Sequence, residues 1–226
     1  MGSIHDTRRY LAEFVGTYLL VIVGPGTIIV LSLASISGTT ALCLVAVAFG
    51  GIVTLDILLF SSQSGAIVNP ALTLATASAR VIDLRLVMPY VVFQGFGGVL
   101  AGLTLRLVFG PLGETTSLGS TKLASNITPV AGFLIEAVGT FALASAAIIA
   151  STRMKKTWHQ AFFVGCTLGV LILLIGPLTG AGFNPARSIG PSLAAGYFVN
   201  LPVYILGPTA GALASGLSAR AARTLN

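Results

Sequence analysis

Two strings carry the polar chemistry of this apolar chain: Ser64-Gly-Ala-Ile-Val-Asn-Pro-Ala71 and Thr179-Gly-Ala-Gly-Phe-Asn-Pro-Ala-Arg187. Each runs small polar residue, Gly, Ala, two residues, then Asn-Pro-Ala, and the two Asn residues stand 115 positions apart (184 minus 69). Asn is a favoured helix N-cap, and Pro fits the first helical turn, so each string predicts a helix that starts at Pro70 or Pro185. A helix over Pro70–Ala79 is about 15 Å long at about 1.5 Å per residue, roughly half the thickness of a bilayer core. An Asn that caps its own helix through its side-chain oxygen keeps an amide NH2 to offer elsewhere. The helix end beside it carries about half a positive charge. Two such ends facing each other would hold a water by its oxygen, turn its hydrogens outward and repel cations. Arg187 directly follows the second motif, and an Arg one turn into a half-helix at membrane depth is expected to be functional.

These residues need a membrane frame around them. The chain is 55% hydrophobic and 8% charged with a mean hydropathy of +0.97, far from the composition of a soluble domain. Six runs are long enough to cross a bilayer, at about 10–32, 41–60, 86–108, 130–151, 159–178 and 201–220. The first is too long for a signal peptide and reads as a span. Gly, Ala and Ser stud the runs, as close helix packing in lipid requires. The net charge of +6 would suggest nucleic acid for a soluble chain; here the basic residues fall between spans and report topology instead. With both termini cytoplasmic, the inside holds Arg8, Arg9, Arg80, Arg85, Arg153, Lys155, Lys156, Arg220 and Arg223, which leaves Arg106, Lys122 and Arg187 outside or in the pore. The positive-inside rule selects that orientation.

The halves repeat, at about 8–108 and 130–221 of a single domain covering 1–226. Glu13-Phe-Val-Gly-Thr17 matches Glu136-Ala-Val-Gly-Thr140, and Met88-Pro-Tyr90 through Gly98-Val-Leu-Ala101 is aligned with Leu201-Pro-Val203 through Gly211-Ala-Leu-Ala214. Three spans per half is an odd number, so the second half inserts upside down relative to the first. The expected fold is an all-α membrane protein of six transmembrane helices plus two re-entrant half-helices in an inverted repeat. The stretch Gly110–Thr128 reads as an ordinary connecting loop. Cys43 and Cys166 lie in apolar runs and are expected to be buried, reduced thiols. His5 and His159 are isolated, and no cluster has the spacing of a metal or cofactor site.

The paired motif and the repeat around it resemble the aquaporin, or major intrinsic protein, family over the whole chain. The resemblance implies a pore midplane at Asn69, Pro70, Ala71, Asn184, Pro185 and Ala186. It implies an outer constriction with Arg187 as its cationic donor. By family spacing the other filter positions fall on Phe49, 20 residues before the first Asn, on Ile172, 12 before the second, and on Ala181, three before it. Water-selective members carry a His where Ile172 stands, so this ring is more apolar than theirs; Ser188 is of the water-channel type, where glycerol facilitators place Asp, and Tyr204-Ile205 is mixed. The matched Glu13 and Glu136 take the family role of holding the re-entrant loops. The fit is to a passive channel for water, with glycerol, ammonia, urea and hydrogen peroxide as further candidates and with ions and protons excluded. Such a channel is no enzyme, sits in the lipid bilayer, and is typically a homotetramer. The short tails are expected of a prokaryotic plasma-membrane protein. Two readings stay open beside it, a secondary transporter and a structural membrane protein with a closed pore. Asp56 matches no family pattern. It reads either as a buried acid paired with Ser, Thr or backbone, or as a lumen-lining carboxylate.

Overall fold

The computed structural model describes residues 4–224, and among them every regular element is helical. The side chain of His5 lies outside the described residues. Eight α-helices follow in chain order: α1 (Ile4–Leu33), α2 (Gly38–Ser64), α3 (Pro70–Ser78), α4 (Val87–Phe109), α5 (Pro129–Arg153), α6 (Thr157–Thr179), α7 (Pro185–Ala195) and α8 (Leu201–Thr224). Each expected span is present; α4 is as long as its apolar stretch and shifted by one residue, and the others run a few residues longer. Five long helices are apolar enough to cross a membrane by composition alone, and α8 is not among them. Its Gly, Ala, Ser and Thr dilute its apolarity, because it presses closely on two neighbours.

Packing follows the repeat. Helix α1 packs on α2 and α4 as α5 packs on α6 and α8, and α2 meets α6 between the halves. Each half-helix lies on a long helix of the opposite half, α3 on α8 and α7 on α4. The register between α4 and α8 differs by one residue from the sequence alignment. A Cβ on Gly97 would stand 2.3 Å from the Phe14 carbonyl oxygen, and one on Gly211 would stand 1.9 Å from that of Ala137. Gly97 therefore corresponds to Gly211, not Gly98 to Gly211, and Tyr90 pairs with Tyr204. The shared Pro and the Gly-rich stretch concealed the shift, since small residues recur at neighbouring positions in both helices.

Cys43 and Cys166 are free, as expected, but both are exposed rather than buried. An apolar run in a membrane protein has one face on protein and another on lipid, so apolarity alone does not locate the core. The same exterior carries Leu107 at 84% exposure and Val47 at 71%, a surface that only an apolar solvent tolerates.

Candidate functional site

Between α2 and α3, and between α6 and α7, the chain re-enters the bundle as an irregular strand. Gly65, Ala66 and Val68 have φ of 92°, 50° and 46°; Gly180, Ala181 and Phe183 repeat this with 78°, 49° and 48°. A left-handed conformation costs an ordinary L-residue about 1–3 kcal/mol, so four such residues persist only under external restraint. The restraint is a buried carboxylate in each half. Glu13 accepts hydrogen bonds from Ser64 Oγ (2.6 Å), Ile67 N (3.0 Å) and Val68 N (2.7 Å), and Glu136 accepts them from Thr179 Oγ1 (2.6 Å), Gly182 N (2.9 Å) and Phe183 N (2.8 Å). Tyr90 and Tyr204 donate their hydroxyls to the carbonyls of Ser64 (2.9 Å) and Thr179 (2.8 Å), so each loop is pinned at its entrance too. The alternating backbone leaves the carbonyls of Gly65, Ala66 and Ile67, and those of Gly180, Ala181 and Gly182, without a protein donor among the described residues.

Each loop ends at an Asn that caps its half-helix. Asn69 Oδ1 accepts from Ala71 N at 2.9 Å and Leu72 N at 3.4 Å, and Asn184 Oδ1 accepts from Ala186 N at 3.0 Å and Arg187 N at 3.3 Å. Pro70 and Pro185 open the two helices with no N–H to satisfy. The amide groups are not wholly free, as the sequence suggested. Asn69 Nδ2 donates to the Phe183 carbonyl and Asn184 Nδ2 to that of Val68, both at 2.9 Å. One N–H of each amide thus ties the two halves together, and the other is left for the lumen. The link and the capping come from the same two side chains.

A cavity of about 120 Å³ runs past this junction, bordered by Asn69 and Asn184, by both loops, and by Leu20, Val53, Ile57, Leu143, Val164 and Leu168. That is room for several water molecules, each needing about two to four polar partners. One side is apolar and the other offers carbonyls and amide donors in sequence. Thr76, Ser151 and Gln160 supply polar groups at the end remote from Arg187.

Arg187 is 2% exposed and borders the cavity. Its Nη1 donates to the Gly119 carbonyl at 3.0 Å, and its guanidinium carbon lies 5.1 Å from the centre of the Phe49 ring. Phe49 rests on Gly24, where a Cβ would come within 2.2 Å of the ring. The structure brings Phe49, Ala181 and Arg187 together on the cavity wall. Ile172, the fourth spacing-derived position, is 3% exposed in the same core cluster and is not among the residues that border the cavity.

Asp56 is completely buried, and no donor reaches either carboxylate oxygen. It faces Gly16 of α1, while Val53 and Ile57 of its own helix face the lumen. The structure thus shows neither a hydrogen-bonded acid nor a lumen-lining one at this position.

Sequence reasoning missed two contributors, and the bonds of two more residues. Gly119 belongs to the stretch read as an ordinary loop, yet it fixes Arg187 and would strike Pro25 with any Cβ, at 2.8 Å. Gln94 donates to Glu13 at 2.7 Å and has no counterpart on Glu136. Ser64 and Thr179 were legible as the small polar residue that opens both strings, but their bond to the carboxylates was not anticipated.

The site also predicts a response to mercurials. Ala181 is on the wall, whereas Cys43 and Cys166 are not. Mercury salts should leave the native protein conducting, and Ala181→Cys should lose most of its flow and regain it with a thiol reductant. Strong block of the unaltered protein in a liposome swelling assay would place a native thiol on the lumen.

Comparison with known proteins agrees with this geometry. The profile of the Major intrinsic protein family matches residues 1–218. The glycerol uptake facilitator protein-like 6 of Lactiplantibacillus plantarum is 33% identical over 94% of this chain and 97% of its own. A probable aquaporin, AqpM, of Archaeoglobus fulgidus is 31% identical over 92% and 94%. In fold, the chain is similar to the X-ray structure of the aquaglyceroporin from Plasmodium falciparum, with a TM-score of 0.77 and 19% identity over 93% of this chain and 94% of that one. With its crossed Asn caps and carboxylate-held loops, the chain belongs to the major intrinsic protein family, a family of membrane channels and not of enzymes.

Proposed function

We propose that this protein is a passive water channel that also passes small neutral solutes such as glycerol, ammonia, urea and hydrogen peroxide, and that excludes ions and protons. The observation that carries the reading is the crossed pair of Asn amides at the facing N-termini of α3 and α7, on the wall of a water-sized cavity. A permeating water there exchanges hydrogen bonds with carbonyls and two amide donors, so it need not remain hydrated by bulk solvent. A cation at the junction is repelled, because both half-helices present their positive ends there. The filter at Phe49, Ala181 and Arg187 lacks bulk at Ala181, and that supports entry of solutes somewhat larger than water.

The channel domain extends over 1–226, works as a homotetramer with a pore in each subunit, and lies in the plasma membrane with both termini cytoplasmic. Nine of the chain's 12 Lys and Arg residues fall on the cytoplasmic side in that orientation. Neither nucleic acid nor a cofactor has a part in it. The test is a stopped-flow series in proteoliposomes with water, glycerol, urea and ammonia. Fast water flow with a low activation energy and no ion gradient is expected, with slower solute flow. Flow that requires an ion gradient would make it a transporter, and no flow above empty liposomes would make it a closed, structural member.

A further inference from the structure

Each half-helix has two ends, and its N-terminal end faces the junction at Asn69 and Asn184. Its macrodipole places about half a positive charge there and about half a negative charge at the far end. Helices α3 and α7, of 9 and 11 residues, are about 13–16 Å long, so in a weakly polarisable surround the far end partly cancels the field of the near one. In this protein both far ends meet a guanidinium. Arg106, in the last turn of α4, donates through Nη1 to the Ala194 carbonyl in the last turn of α7. Arg223, in the last turn of α8, donates through Nη1 to the carbonyl of Ala79, the residue that caps the C-terminus of α3, at 3.2 Å.

The arrangement repeats across the pseudo-symmetry, yet the two arginines are not at equivalent positions. In the α4/α8 register Arg106 corresponds to Arg220, and Arg223 lies one turn further on. The same contact is thus made from two different places. Neither guanidinium is paired with a carboxylate of the described residues. Glu114 shares a surface groove with Arg106 without pairing to it. Arg80 follows Ala79 directly, and Lys122 lies 5.0 Å over the Tyr197 ring just beyond α7, so the other nearby charges are mostly of the same sign.

We infer that Arg106 and Arg223 are selectivity residues that act at a distance: each offsets the negative end of a half-helix and so leaves the positive end at the lumen uncompensated. This deepens the exclusion of ions and protons proposed above and rests on it. A unit charge acting over one half-helix length at an effective dielectric of about 20 changes the occupancy of a cation at the junction by about five- to tenfold. Both arginines lie at the rim of the bundle, away from the cavity wall, so water flow is not their readout.

The test compares Arg106→Gln and Arg223→Gln, singly and together, with Arg106→Lys and Arg223→Lys. Glutamine removes the charge and shortens the side chain by about two bonds, and lysine keeps the charge on a chain of similar length. Water flow and the leak of protons and potassium are measured in proteoliposomes at matched protein density, with a pH dye and an imposed potassium diffusion potential. Water flow near the native level is expected in all variants. The cation leak should rise about five- to tenfold in each glutamine variant, further in the double one, and stay native in the lysine variants. Native leak in both single glutamine variants, with water flow intact, would overturn the inference and leave water-channel function untouched. Equal leak in the lysine and glutamine variants would overturn it too, since that result makes the contact a matter of shape alone. A native protein that itself passes potassium freely would instead overturn the exclusion reading beneath it. If the double variant does not assemble, the two single variants decide the question by themselves.

Discussion

Glu136→Ala is expected to lower water flow per folded molecule by at least tenfold and to reduce thermal stability markedly. The carboxylate accepts three hydrogen bonds, from Thr179 Oγ1, Gly182 N and Phe183 N, and it is completely buried. Each donor left unsatisfied in such a place costs about 1–3 kcal/mol. The same loop holds Ala181 and Phe183 in left-handed conformations that relax once the restraint is gone. Relaxation turns the loop carbonyls away from the lumen and moves Asn184, whose amide ties the halves together through the Val68 carbonyl. The row of carbonyls and amide donors along the cavity does not survive that movement. Glu13→Ala should be at least as severe, because it strands a fourth buried donor, Gln94 Nε2, beside Ser64 Oγ, Ile67 N and Val68 N. Stopped-flow measurements together with a melting curve in detergent decide the matter. Flow in Glu136→Ala within twofold of native would show that the Tyr204 contact and the Asn cap hold the loop without the carboxylate.

That difference between the two glutamates marks what the sequence could and could not convey. Both were legible, because a matched Glu in two halves of an apolar chain has few structural uses. The helix starts at Pro70 and Pro185 were legible for a local reason: Asn-Pro determines its own geometry within a few residues. Gln94 was not, since it has no partner in the repeat, and its value lies in a contact 81 residues away with Glu13. Gly119 was hidden similarly, in a stretch without regular structure whose role depends on reaching Arg187 across 68 residues. The exposure of Cys43 and Cys166 was lost for another reason: lipid and protein interior are alike to an apolar side chain, so the sequence pattern does not tell them apart. Asp56 shows the limit from the other side. Its burial was one expected outcome, but the absence of any donor to either oxygen was not legible from the sequence.

If the proposed exclusion of ions and protons holds, Arg187 and the half-helix ends should contribute to it separately, because they lie at different places along the cavity. Arg187→Val removes the guanidinium over Phe49 and widens the filter, so glycerol and urea flow should rise severalfold and some proton leak should appear. Most of the barrier should remain, since the caps at Asn69 and Asn184 and the two positive helix ends are unchanged. Asn184→Asp should do more. The carboxylate still caps Ala186 N, but it loses the amide that donates to the Val68 carbonyl, and it sets an oxygen against an oxygen 2.9 Å away. It also brings a full negative charge to a junction where the two helix ends together supply about one positive charge, so the local field is cancelled. Proton leak, read with a pH dye at matched density of folded protein, should therefore rise by more than tenfold in Asn184→Asp and by far less in Arg187→Val. The ratio is the decisive quantity. If Arg187→Val alone conducts protons as freely as an open, water-filled pore while Asn184→Asp stays tight, the filter carries the exclusion and the facing helix ends do not.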